Sequence, residues 1–404
     1  MRRPALLAAF LCLFPAVPAL GDVAIHCLDV GQGDATLVIS SSGQTLLFDA
    51  GNNGKGNSVV NPHLAGLGIT DLTYMAASHY HADHIGGLDE VYSGTGVTVA
   101  CYDRGWSYTT ATYSSYAATV GPKRQTLTDG QIIDLGDGVT VQCVTLNGNG
   151  VVSTPYEQPP HDENDLCVAL VVSCGEFDFL VAGDLGGQNT SSYKDIETSL
   201  GGEVGDIEVY RVNHHGSRYS SNASFVGTLS PDVSIISVGN NSYGHPTQEV
   251  IDRLVSYGSY IYQTELGSGG TIPSGSGTVV GGHVIIETSG YSSYTVDGDS
   301  YGLPAPTAVA ENLTGIGRFF LTVNPNPCNP AAILRFESSS NNEVVLAIYD
   351  ARGRQVRRWD AVGAGEIPWD GTDSGGTSVA SGVYFCRMLG ASGETALQKI
   401  LVTR

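Results

Sequence analysis

The chain has 404 residues and a formal net charge of -21, with 19 Lys and Arg against 40 Asp and Glu. That length predicts two or three folded units, each able to bury a core. So acidic a surface repels polyanions at long range; it argues against tight nonspecific DNA binding and makes any nucleic-acid substrate depend on local positive charge, bound metal included.

Arg2 and Arg3 precede an apolar stretch from Ala5 to Leu20 that is broken by Pro15 and Pro18, and Ala19-Leu20-Gly21 offers small residues for cleavage. Residues 1–21 are expected to be a secretory signal. No other apolar run is long enough to span a bilayer. Strands are predicted at Val23 to Val30, Ala35 to Ile39, Thr45 to Phe48 and Leu72 to Ala77, with a turn at Gly31 to Asp34. Gly86 to Val91 reads as the start of a helix. Residues 131–146 and 166–183 read as two hairpin-like pairs, and Ile207 to Val212 and Val233 to Val238 as strands. Thr247 to Tyr257 is the clearest helix, with Val250, Ile251 and Leu254 on one face. Residues 267–281 read as a loop, and Val284 to Thr288 with Tyr294 to Val296 as a closing hairpin. This order predicts an α+β fold, an αββα sandwich over residues 22–298. A linker is expected at 299–318, with Pro304 and Pro306. Residues 319–404 then carry short, regularly spaced strands, which predicts a small β-sandwich. The eight cysteines show no paired CxxC, so a structural zinc ribbon is not expected. Cys328 and Cys386 are the preferred disulfide pair, and Cys167 reads as a buried thiol.

His79, His81, Asp83 and His84 fall within six residues, after an apolar strand and before Gly86-Gly87. Histidine and carboxylate at this density suit zinc, manganese or iron. The pattern resembles the HxHxDH hallmark of the metallo-β-lactamase superfamily. The resemblance implies two divalent metal ions, zinc first and manganese second. It places His79 and His81 on one metal and Asp83 and His84 on the other, with Asp83 alternatively orienting water in a one-metal site. Leu46-Leu47-Phe48-Asp49-Ala50-Gly51 is similar to the strand whose terminal Asp lies beneath the site, which puts Asp49 in the metal set. Phe179-Leu180-Val181-Ala182-Gly183-Asp184 ends in the Gly-Asp whose carboxylate would bridge the metals.

A narrower resemblance covers residues 23–298. Asp29-Val30-Gly31-Gln32-Gly33-Asp34-Ala35 is similar to the signature of the hydrolase domain of ComEC-type DNA-uptake proteins. Glu163-Asn164-Asp165, Asn213-His214-His215-Gly216-Ser217 and Tyr243-Gly244-His245-Pro246 extend it. The superfamily's third-motif His has no counterpart; Asn164 or Asp165 stands there, with His161 nearby. Of His214 and His215, one completes a metal site and the other meets substrate or a carboxylate; the sequence leaves open which, although His215 is entered in the metal set. His245 is a candidate leaving-group stabiliser. Gly31, Gly33 and Asp34 are expected to shape a turn near the site. His26, His63 and His283 stand outside every motif and are read as ordinary.

Residues 319–404 carry Val323-Asn324-Pro325-Asn326-Pro327, Ile348-Tyr349-Asp350-Ala351-Arg352-Gly353, Trp369-Asp370-Gly371 and Ser381-Gly382-Val383-Tyr384-Phe385. They resemble FlgD-type immunoglobulin-like domains and type IX secretion sorting domains. The resemblance implies an export-machinery or cell-surface partner rather than catalysis. The expected function is that of a secreted metal-dependent nuclease or phosphodiesterase acting on nucleic acid or another phosphodiester. The alternatives are an extracellular esterase, lactonase or β-lactamase, and a non-catalytic surface binding protein.

Overall fold

The computed structural model describes residues 23–152, 162–290, 292–303, 320–324, 328–338, 343–350, 354–390 and 395–403. The expected signal segment, His161 and most of the expected linker lie outside them. The chain divides into two compact units, the second starting at Thr307.

Among the described residues, the first unit holds two large sheets. One has nine strands in the spatial order Asp299–Gly302, Ser293–Val296, Val284–Thr288, Val23–Cys27, Thr36–Ser40, Thr45–Phe48, Leu72–Ala76, Val97–Asp103 and Arg124–Thr126. The other has eight, in the order Gly277–Val279, Tyr260–Gln263, Val233–Ile236, Val209–Arg211, Phe177–Val181, Ala169–Cys174, Val139–Thr145 and Ile132–Asp134. Val23, Ile25, Val38 and Phe48 of the first sheet meet Phe177, Phe179, Val209 and Ile235 of the second in one core. The opposite faces carry helices. Leu37, Leu47 and Met75 pack against Leu64, Leu88 and Tyr116. Leu180, Tyr210 and Ile236 pack against Leu200, Phe225 and Leu254. The result is the αββα sandwich. Because both faces of each central strand are covered, these strands read as continuous apolar runs rather than as an alternation.

The helix Gln248–Ser256 buries Val250, Ile251 and Leu254, as its period predicts. The helices Ala111–Val120 and Glu197–Val204 were not anticipated, since their Ala, Ser, Thr, Tyr and Gly content gives no clear apolar stripe. Local chemistry starts the first of them: the Thr110 hydroxyl accepts from the Tyr113 N–H at 3.2 Å, satisfying an end group.

Three expectations need correction. Asp299–Gly302, assigned to the linker, is an edge strand paired with Ser293–Val296; Tyr301 stacks on Tyr294 at 5.2 Å, and that contact holds it on the sheet. The segment 267–281, assigned to a loop, contains Gly277–Val279, paired in parallel with Ile261 to Gln263. The third concerns Cys328 and Cys386, which are both buried and form no disulfide. Cys386 lies opposite Gln398, while Cys328 bridges to Val402. Four residues along one strand is about 13 Å, about twice the ~7 Å reach of a disulfide.

The second unit is a β-sandwich. Phe320–Asn324, Ala332–Glu337 and Ala364–Trp369 form one sheet; Gln355–Val362, Glu343–Asp350, Gly382–Gly390 and Thr395–Val402 form the other. Leu334, Leu346, Ile348, Trp369 and Met388 fill the space between them.

Candidate metal centre

Each strand that delivers a site residue does so at its C-terminal end. Thr45–Phe48, Leu72–Ala76 and Val97–Asp103 run parallel, as do Phe177–Val181, Val209–Arg211 and Val233–Ile236. Asp49 follows Thr45–Phe48, His79 follows Leu72–Ala76, Asp184 follows Phe177–Val181 and His214-His215 follow Val209–Arg211, and such strand ends are where α/β sheets place their sites.

The loop from His79 to His84 is shaped from outside. Glu163 Oε1 accepts the Tyr80 N–H at 2.9 Å. Arg104 grips the same carboxylate through Nε at 3.0 Å and through Nη2 at 2.8 and 2.7 Å. Its guanidinium lies 4.1 Å from the centre of the Tyr80 ring. This clamp turns His79 and His81 to one side; their facing nitrogens are 3.0 Å apart.

Ligand atoms gather in four overlapping groups, each within 4.8 Å across: Asp34, Asp49 and His84; Asp34, Asp184 and His215; and, bordering the cavity, His79, His81 and Asp184 in one and Asp83, His84 and His215 in the other. Asp184 adjoins both. Its Oδ2 is 3.9 Å from His79 Nε2, and its Oδ1 is 3.1 Å from His84 Nε2 and 3.5 Å from His215 Nε2. These last three atoms, His84 Nε2, His215 Nε2 and Asp184 Oδ1, are all buried without a hydrogen-bond partner. Unpaired buried polar atoms are costly, and a cation among these three would satisfy them together. The electrostatics agree. Burial opposes charge on His84, but Asp184 and Asp49 outweigh it and hold its pKa well above the usual range. Burial likewise opposes charge on His215, yet Asp184 and Asp34 raise its pKa to about 10. Burial would raise the Asp184 carboxyl, and His214, His84 and His215 instead hold it well below its ordinary value. These carboxylates draw positive charge to the point where a divalent ion would sit, so the residues present fit a metal.

Asp49 stands behind this set. Its Oδ2 accepts from His84 Nδ1 at 2.9 Å and its Oδ1 from the Ser78 N–H at 2.8 Å. With both oxygens engaged it orients His84, in the manner of an outer-shell carboxylate, and it also stands in a group with Asp34 and His84 whose ligand atoms lie within 4.8 Å of one another. Asp34 is equally buried. It accepts from Arg211 Nη2, and its Oδ1 is 3.2 Å from His215 Nδ1. Gly33 lets this turn press onto the metal loop: a Cβ there would come 2.5 Å from the Asp83 carbonyl oxygen. The turn at Gly31 to Asp34 is as expected, but Asp34 does more than shape it.

His214 and His215 were expected to end a strand. Both lie instead in a tight turn with φ of 52°, a region sparsely used by non-glycine residues and often found at functional sites. The turn separates them. His215 joins Asp83 and His84, and its Nδ1 donates to the Ser237 carbonyl at 3.0 Å. His214 faces the cavity, with Nε2 3.6 Å from Asp184 Oδ2 and Nδ1 3.4 Å from Asn164 Nδ2. His245 also lines the cavity, its ring 5.4 Å from that of His214. Burial, then His214 and His215, lower its pKa to about 4. Asn164 and Asp165, the two residues expected near the third-motif position, both have an Oδ1 that is buried without a hydrogen-bond partner. The open space above these residues is about 700 Å3.

Several contributors escaped the sequence reading. Arg104 and Arg211 are isolated arginines in apolar stretches, and a buried arginine is a signal only once its carboxylate is known. Tyr193, Arg218 and Tyr219 line the cavity from segments with no motif of their own.

Residues 28–239 match the model of the metallo-beta-lactamase superfamily, more than half of the chain, and the chain belongs to that superfamily. Residues 330–394 match the FlgD Ig-like domain. Among curated proteins, the chain is 26% identical over 274 residues to "Competence protein ComA" of Neisseria gonorrhoeae, an alignment covering 65% of this chain and 34% of that one. It is 27% identical over 251 residues to "Recombination protein 2" of Haemophilus influenzae, covering 59% and 27%. The chain thus spans about a third of the length of these relatives. Among solved structures, a metallo-beta-lactamase from Cronobacter sakazakii, a HARLDQ motif mutant, is similar at 18% identity and a TM-score of 0.33, covering 46% of this chain and 75% of that one. No helix among the described residues is long and apolar enough to cross a membrane.

Proposed function

We propose that the chain is a secreted metal-dependent phosphodiesterase whose substrate is nucleic acid. The observation that carries this reading is the convergence of His84 Nε2, His215 Nε2 and Asp184 Oδ1, each without a partner, beneath an open cavity of about 700 Å3. Divalent metal held by His79, His81, Asp184, Asp83, His84 and His215, zinc before manganese, supplies Lewis acidity and a nucleophilic water at neutral pH. The chain's own groups do the rest. Asp49 and Asp34 orient His84 and His215. His214 faces the substrate. His245, kept neutral by burial, His214 and His215, is placed to stabilise the leaving oxygen by a hydrogen bond from its ring. The names of the curated relatives, a competence protein and a recombination protein, favour DNA over lactams or esters. The FlgD-like unit supports export or attachment at the cell surface rather than chemistry.

The test uses the purified chain loaded with zinc or manganese. It is offered plasmid DNA, RNA, bis-p-nitrophenyl phosphate and nitrocefin. Cleavage of the phosphodiesters is expected, and its loss in His81→Ala and Asp184→Ala should accompany a fall in bound metal. Hydrolysis of nitrocefin with no phosphodiester cleaved overturns the reading.

A further inference from the structure

The geometry points to a nucleobase-stacking subsite beside the metal centre, formed by Tyr193, Tyr219, Tyr243 and Arg218, that makes unpaired strands the preferred ligand of this cavity. This rests on the phosphodiesterase reading and names its substrate class.

All four residues line the cavity. Tyr193 and Tyr219 stack on each other with ring centres 4.9 Å apart and planes 22° apart. Tyr193 also lies 6.5 Å from the His214 ring, so the pair extends from the metal-facing histidines toward solvent. Tyr243 stacks on His245 at 5.6 Å and 28°, so a second aromatic face borders the cavity. It is 73% exposed. Its parallel stack on His245 covers one face of the ring and leaves the other open to a ligand.

Arg218 supplies what the acidic surface withholds. It is exposed, and its guanidinium sits 5.0 Å from the centre of the Tyr219 ring, donating to the Tyr219 hydroxyl at 3.0 Å. The contact holds the cation in place while leaving donors for a phosphate. In a chain of net charge -21, one fixed cation at the mouth of the metal cavity selects where a polyanion enters. Aromatic faces interleaved with a cation are the means by which proteins hold single strands: the bases stack and the backbone is neutralised. A duplex keeps its bases stacked on each other and cannot offer them to these rings.

The test measures affinity for two strands of equal length, one bearing bases and one with abasic residues throughout. The full chain is used, and binding is followed by fluorescence anisotropy of labelled strands in the metal-free protein. Wild type is expected to bind the base-bearing strand at least tenfold more tightly than the abasic one, and more tightly than the duplex. Tyr243→Ala should bring the base-to-abasic ratio close to one, while Tyr243→Phe, which keeps the ring, retains it. Arg218→Gln should weaken both strands alike and reduce the salt dependence of binding. Equal affinity of wild type for the two strands, or an unchanged ratio in Tyr243→Ala, overturns the subsite. Because binding is read without turnover, these outcomes stand apart from failure of the phosphodiesterase reading, which would appear as strands bound but never cleaved.

Discussion

Arg211 donates to Asp34 in the interior of the sandwich, and the accepting oxygen is the one 3.2 Å from His215 Nδ1. Both partners are almost wholly buried. Arg211 Nε and Nη1 have no acceptor, so Asp34 carries most of the compensation, with Cys27 and Asp184 adding to it. Breaking such a pair from one side leaves a buried charge behind and costs about 3–5 kcal/mol. Arg211→Met is therefore expected to lower unfolding stability by about that amount in urea titrations. Asp34→Asn keeps the shape but weakens the orientation of His215, and metal affinity should fall about ten- to a hundredfold in competition with a chelator. Equal metal affinity in Asp34→Asn would remove Asp34 from the centre.

The clamp made by Arg104 and Glu163 invites a different experiment. Glu163 holds the Tyr80 N–H and Arg104 holds Glu163, so the two act as one unit. Arg104→Met should cost about 3–5 kcal/mol, because the carboxylate stays buried without its cation. The double variant Arg104→Met, Glu163→Met removes both charges and should cost clearly less than the sum of the two single changes. Additive losses in the cycle would show that the two residues stabilise the loop independently.

How far this centre could be read beforehand depends on how local each feature is. His79, His81, Asp83 and His84 were legible because six consecutive residues carry them on one loop. Asp184 was legible because its strand ends in Gly-Asp. That His214 and His215 part was legible from their adjacency, but which of them joins the metal set was not, since that is decided by two consecutive left-handed residues where sequence spacing suggested a strand end. Asp34 lies 177 positions from Arg211, and only the approach of the two sheets makes them partners. The same holds for His26, His63 and His283, read as ordinary: they lie on separate elements, yet His26 Nδ1 is 2.9 Å from His63 Nε2, and the His63 and His283 rings are 4.6 Å apart. In the fold, the apolar strands were legible from hydrophobicity. The edge strands Asp299–Gly302 and Gly277–Val279 were not, because pairing with a neighbour rather than composition makes them strands.

The two halves of the metal centre should differ in affinity. Asp184 Oδ1 stands 3.1 and 3.5 Å from His84 and His215 Nε2, and Asp49 and Asp34 orient those two rings, whereas Asp184 Oδ2 stands 3.9 Å from His79 Nε2 and His81 is half-buried. Outer-shell carboxylates raise the affinity of the ligands they orient. Extensive dialysis is expected to leave closer to one metal ion per chain than two, measured by elemental analysis. His215→Ala should lose the retained ion. Metal held at a hundred times its dissociation constant adds about 2.7 kcal/mol to stability, so a chelator should lower the melting temperature. Two ions surviving dialysis with equal tenacity would contradict the asymmetry.

The histidine cluster away from the cavity sets a pH dependence of stability. His26 is 5% exposed. Burial, followed by the charges of His63 and His283, lowers its pKa to about 4. Burial and His283 lower that of His63 to about 4 as well. The His283 pKa falls through burial, opposed by Asp29, whose N–H donates to His283 Nδ1 at 2.9 Å. In the unfolded chain these imidazoles titrate near 6.5, a value shared by ordinary histidines (about 6.5). Between pH about 6.5 and 4 the unfolded chain binds more protons than the folded one, so stability rises with pH across that window. The contribution is complete above about pH 6.5 and is lost as the pH falls toward 4. For His26, the most buried of the three, it amounts to on the order of 3 kcal/mol. His26→Asn, which cannot titrate, should flatten the dependence of the urea midpoint on pH in this range while leaving the metal ligands in place. A slope identical to wild type would assign the acid sensitivity to the metal-centre histidines instead.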